Sequence, residues 1–171
     1  GLDNVEANTI KVFGRELSGD FIDQIGRELT GTEGRANGWS DKDVLGSPIK
    51  GDPARVILGE SLRGFKAQRD AQAGAKVDSE VVRSLDCKIR VLEHWLNLSN
   101  EFGNNFGLQP SQLAYTYLLA RSKLAQLENK NVGLPVLVAR VGAGKMEANI
   151  IGCMTAMEMY KKDTGKDVRM L

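Results

Sequence analysis

Histidine is nearly absent from this 171-residue chain. His94 stands alone, which excludes a multi-histidine metal centre and any Cys/His-rich zinc pattern. Cysteine is scarce too: Cys87 and Cys153 lie far apart, in stretches with helical patterning. Two such thiols are expected to be buried and reduced, in a reducing, cytoplasmic compartment. Nor does one sign of charge dominate. With 23 basic and 22 acidic residues the net charge is +1, which argues against a uniformly basic nucleic-acid coat but leaves room for a local basic face. No apolar run approaches the roughly 20 residues that span a bilayer, so no membrane partner is expected. The chain opens Gly1-Leu2 without Met, which fits an excised or processed piece of something longer.

What is present has globular proportions: 42% apolar and 26% charged residues. A chain near 150 residues hides roughly 70% of its unfolded surface, enough for a core without disulfides or metal. The patterning predicts a mainly α fold, a single-domain bundle of about six or seven helices. Its expected parts are an N-terminal segment (1–50) with a glycine-rich loop and a main body (54–171).

Residues 3–17 are ambiguous: Val5, Ile10, Phe13 and Leu17 have helical spacing, yet Thr9–Phe13 also reads as a short strand. Asp20 is placed to cap a helix bearing Phe21, Ile22, Ile25 and Leu29, ending in the glycine-rich 31–38. Ser40 with Asp43 resembles a capping box. Ser47-Pro48 and Gly51-Asp52-Pro53 break the chain twice and are read as a hinge.

From Ala54 onward helical periodicity is strong. Leu58, Leu62 and Phe65 define one stripe, and Val81, Leu85, Ile89, Leu92, Trp95 and Leu96 define the inner side of a long helix over 78–102 that Gly103 stops. Pro110 suits the first position of the next helix, over 109–130. There Leu113, Tyr117, Ala120, Leu124 and Leu127 are spaced 4, 3, 4 and 3, a seam for an antiparallel neighbour, taken to be 78–102. Residues 134–141 read as a short strand. All five methionines fall in the last stretch, where a helix from Lys145 to about Lys162 is apolar over most of its circumference and needs cover on more than one side.

Candidate chemistry is thin. Val141-Gly142-Ala143-Gly144-Lys145 resembles a phosphate loop, with Gly142, Gly144 and Lys145 as the candidate phosphate-binding residues. Such a loop needs a leading glycine, where Ala139 stands, and a hydroxyl for magnesium, where Met146 stands. Cys87 and His94 share a helix face but lie about 10 Å apart along the axis, too far for a nucleophile–base pair. The acid pairs Asp20/Asp23 and Asp41/Asp43 sit at helix starts, where the dipole accounts for them.

The basic residues carry more. Arg55, Arg63 and Lys66 fall within an arc of about 80° on one helix, extended by Arg69. Such a face neutralises phosphates when it is free to do so. The expected function is therefore a non-enzymatic helical assembly or nucleic-acid-associated protein, of a kind met in viruses and mobile elements, with Arg55, Arg63, Lys66 and Arg69 on phosphate. It needs no catalytic residue, metal or cofactor. Two alternatives stand beside it: a small phosphate- or nucleotide-binding enzyme using Gly142–Lys145, and a protein-binding adaptor or homo-oligomer using the adaptable Met-rich surface of 146–160.

Overall fold

A computed structural model describes residues 9–36, 48–73, 79–138 and 144–168. The expected capping box at Ser40 and Asp43 lies outside them. Among the described residues there are five α-helices and five short strands, mainly helix, and fewer helices than the six or seven expected. The shortfall begins at the N-terminus. Thr9–Val12 (β1) and Arg15–Glu16 (β2) form an antiparallel hairpin, and Pro135–Val138 (β5) joins the other side of β1. The strand reading of Thr9–Phe13 prevails over the helical one because Ile10 pairs with Leu137, and both side chains point inward with no exposure. The turn residues Phe13 and Gly14 take positive φ, 52° and 75°, which closes the hairpin.

Helix α1 (Gly19–Ala36) is capped by Ser18, not Asp20: the Phe21 amide donates to Ser18 Oγ at 3.2 Å. Asp20 instead supplies the acid of the first turn. Ile22, Ile25 and Leu29 are buried as expected, while Phe21 faces out. The helix does not stop at the glycines; it kinks at Gly31 (φ 56°, ψ −150°) and resumes to Ala36.

The expected hinge is tied down. Ile49–Lys50 (β3) pairs with Gly107–Leu108 (β4), and the Gly51 amide donates to Phe106 O at 3.1 Å. Helix α2 (Asp52–Ala71) follows, burying Ala54, Ile57, Leu58, Leu62 and Phe65. The longest helix is α3 (Ser79–Phe102), and Gly103 with φ 58° turns the chain at its end. Pro110 is the first residue of α4 (Pro110–Leu127), and α5 runs Lys145–Thr164.

The expected neighbours α3 and α4 do meet, with Ser84 bonded to Tyr117 at 2.8 Å and Glu80 paired with Arg121, but each has a closer partner. α2 packs most closely on α3, and α4 on α5 and α1, while α3 and α4 meet mainly through longer side chains. The reason lies in α5. Its buried residues include Ala148, Gly152 and Ala156, spaced by four on one face, and an ideal Cβ at Gly152 would stand 2.7 Å from Leu119 Cδ2. Small residues let α4 approach, and the seam residues Leu113, Ala120 and Leu124 are sealed as a result. One core joins Ile10, the α1 face, α2, α3, α4, Leu137 and the inner face of α5. No described helix is long and apolar enough to cross a membrane.

Candidate functional site

The four expected phosphate contacts lie on α2, and each already has a carboxylate. Arg55 pairs with Asp52 and donates to Ser99 O at 3.3 Å. Arg63 meets Glu60 at 3.0 Å, Lys66 meets Glu93 at 3.3 Å, and Arg69 meets Asp86 at 2.9 Å. The last two bonds reach from α2 to α3, so this face ties those two helices together. Of the four, only Arg63 and Lys66 are mostly solvated, at 76% and 53% side-chain exposure. Phosphate has to compete there with groups already in place, although exposed pairs of this kind contribute only about 0–1 kcal/mol each.

Of the phosphate-loop residues, Gly142 lies outside the described residues. Gly144 precedes α5 in the left-handed region (φ 73°), and Lys145 is exposed as the first helical residue. Met146, where magnesium chemistry would need a hydroxyl, is 71% exposed. Among the described residues no group of three His, Cys, Asp or Glu gathers as for a metal ion.

His94 faces neither cysteine: its Nε2 lies 2.6 Å from Glu158 Oε1, joining α3 to α5. Burial raises the Cys87 thiol to about 12, so it is a packing residue with almost no thiolate at neutral pH. Burial also raises Cys153.

The Met-rich helix buries a small-residue row together with Ile151 and Met159, and leaves other large apolar residues outward. Ala148, Gly152 and Ala156 face α4, whereas Met146, Ile150 and Met154 are exposed by 71%, 50% and 41%. Two residues further on is about 200° round a helix, so the two rows occupy opposite sides. The helix is covered on more than one side, as expected: α4 covers one, α3 meets it through His94 and Arg90 at Glu158, and a row of three large apolar side chains remains exposed.

Sequence reasoning missed a cleft of about 340 Å³ where the C-terminal end of α3 meets the N-terminal ends of α4 and α5. Its apolar wall is Trp95, Leu98, Phe102 and Phe106; its polar side includes Lys50, Gln112 and Glu147, with Gly144 at the start of α5. These positions are scattered along the chain, and no local spacing joins them. Trp95 is held in place by its indole N–H donating to Thr116 Oγ1 at 3.2 Å. Gln112 is only 3% exposed, yet its side-chain carbonyl Oε1 has no hydrogen-bond partner among the described residues.

A second cleft, also about 340 Å³, opens beside Lys88 between α1, α2 and α3. Lys88 is satisfied in place: it is paired with Glu28 and sits 5.3 Å and 5.8 Å from the Phe65 and Tyr117 ring centres. That arrangement fastens α1 to α3.

No protein-family model, curated protein or solved structure matches this chain.

Proposed function

We propose that the chain is a non-enzymatic helical assembly domain that associates with a second copy of itself through the outer row of α5. The observation that carries this reading is the exposure of Met146, Ile150 and Met154 on one line while the opposite face is sealed on α4. The row is evenly spaced about its middle residue. A twofold axis through Ile150 therefore sets Met146 of one copy against Met154 of the other, which is the self-complementarity an isologous contact requires. The same axis runs the two helices antiparallel, with their dipoles opposed favourably. Three side chains supply less than the roughly 800 Å² per partner of a standard interface, so the association is weak and concentration-dependent. Light scattering across a concentration series is expected to show a rising mass, abolished by Ile150→Asp. A chain that stays monomeric throughout, or a rise that Ile150→Asp leaves intact, refutes it.

A second reading, nucleic-acid contact through Arg55, Arg63, Lys66 and Arg69, is favoured by the exposure of Arg63 and Lys66. It predicts salt-sensitive oligonucleotide binding whose slope falls by about one per lost phosphate contact in Arg63→Glu and Lys66→Glu. Unchanged slopes, or no binding, end it.

A further inference from the structure

We propose that Met146 and Met154 are reversible oxidation sites, and that their sulfoxides release the contact between two copies of α5. This control rests on the self-association proposed above and adds to it the chemistry that breaks it.

The five methionines of the chain are not equivalent. Met146 and Met154 are 71% and 41% exposed, each about one helical turn from Ile150. Met157 is partly covered, and Met159 is 4% exposed and packed into the core. Met170 lies outside the described residues. A thioether is oxidised where a peroxide can reach its sulfur, so two sites on one row stand ahead of the other two on α5. In that step a sulfur lone pair attacks one peroxide oxygen and the O–O bond breaks. Sulfur keeps this oxygen as a sulfoxide and is oxidised by two electrons. The peroxide is reduced: its other oxygen leaves as water with both protons.

The consequence depends on the side of the helix that receives the oxygen. At Met159 a sulfoxide would place a polar acceptor in the core, at the expense of the fold. On the outer row it points into water in the single copy, so the packing of α5 on α4 is untouched. The cost appears only on association. In the twofold contact about Ile150, each Met146 lies against Met154 of the other copy, so both ends of the row meet thioether on thioether. Neither methionine nor isoleucine has a donor to offer a sulfoxide oxygen. Burying that oxygen unpaired weakens the contact by about tenfold per site. A row of leucines would bury a similar area without this sensitivity. Pairing in turn shields both sulfurs, so oxidation and association oppose each other by mass action. Methionine sulfoxide is reducible enzymatically, which restores the row.

Limited treatment with hydrogen peroxide at about pH 6 tests this, with peptide-mapping mass spectrometry for the site and light scattering for the mass. Thiols react as thiolates, and burial raises both Cys87 and Cys153, so at this pH the thioethers are the groups that respond. Sulfoxide is expected at Met146 and Met154 before Met157 and Met159, and more slowly as the protein is concentrated. The oxidised chain is expected to keep its circular dichroism and to need at least about tenfold more protein to associate. Methionine sulfoxide reductases acting on both epimers are expected to reverse the loss. The double variant Met146→Leu/Met154→Leu, compared with its own untreated sample, is expected not to respond to peroxide. Oxidation of Met157 or Met159 first, or full conversion of Met146 and Met154 with association unchanged, overturns the proposal and leaves self-association standing. So does a double variant that peroxide still dissociates. A chain that is monomeric at every concentration before peroxide is added refutes self-association itself, and this control falls with it.

Discussion

Glycine to alanine should change stability in opposite directions at two helical positions of this chain. In a helix interior the substitution gains about 0.8–1 kcal/mol, because alanine loses less backbone freedom on folding. Gly64, in the middle of α2, is exposed, and an ideal Cβ there meets nothing within 4 Å, so Gly64→Ala keeps the whole gain. At Gly152 the same methyl arrives 2.7 Å from Leu119 Cδ2, 3.0 Å from Cγ and 3.1 Å from Cβ. Leu119 is 5% exposed and has no solvent to retreat into, so α4 and α5 must part or Leu119 must leave its rotamer. Overpacking of that kind costs roughly 1–3 kcal/mol. Net of propensity, Gly152→Ala is expected to destabilise by about 1 kcal/mol, while Gly64→Ala stabilises by about 1. At about 2–4 °C per kcal/mol for a chain of this size, thermal melts should separate the two variants by several degrees. A double-mutant cycle isolates the cause. Leu119→Ala alone costs about 2–5 kcal/mol through the cavity it leaves, but with Gly152→Ala the new methyl occupies part of that cavity. The pair should therefore be less destabilising than the sum by at least about 0.5 kcal/mol. Strict additivity, or a Gly152→Ala variant that melts above the parent, would refute the close α4–α5 approach.

Other consequences concern buried charge, caps and thiols. Lys88 is 7% exposed and lies between two rings, while its partner Glu28 is largely in water, so the two deletions should differ. Lys88→Met is expected to be neutral or stabilising in urea denaturation, and Glu28→Ala destabilising because it strands a buried ammonium. Ser18→Ala removes the α1 cap and should cost about 1 kcal/mol, with Asp20→Ala costing less, by thermal melts. Alkylation at pH 8 should modify Cys153 while Cys87, with its thiol near 12, reacts only on unfolding; intact-mass spectrometry after one equivalent of reagent reads this directly. Early labelling of Cys87 would contradict its place in the core.

Helix existence was legible from position 54 on, because α2, α3 and α4 each carry an apolar stripe and α5 an apolar run. Gly103 adopts the left-handed turn expected of it, and Pro110 opens α4. Partner choice was not legible. The seam on α4 looked suited to α3, but what brings α5 against it is a gap, Gly152 facing Leu119, and a glycine in an apolar run advertises nothing about its neighbour. The N-terminal hairpin was half visible: Thr9–Phe13 fitted a strand as well as a helix, and the decision came from β5, more than a hundred residues away. Of the basic face of α2, Arg63 and Lys66 are solvated, while Arg55 and Arg69 are partly covered. Its carboxylate partners Glu93 and Asp86 sit on α3, so the neutralisation was invisible until the two helices were set side by side.

The cleft and the outer row share one cause, the unusual order of side-chain sizes along α5. A helix that buried Met146, Ile150 and Met154 would stand further from α4, and Gly144 would then be carried away from Gln112. Placing Ala148, Gly152 and Ala156 inward draws the helix close along its length, and the close approach at Gly152 also sets the distance at Gly144, two turns earlier. Ile151 and Met159 still reach the core beside that row, while Met146, Ile150 and Met154 fall on the outer side. On this account the exposed row and the tight corner at Gln112 are two ends of the same packing decision. Separating α4 from α5 by enlarging Gly152 should therefore loosen the cleft as well as lower the melting temperature, whereas Ile150→Asp, on the far side of the helix, should do neither.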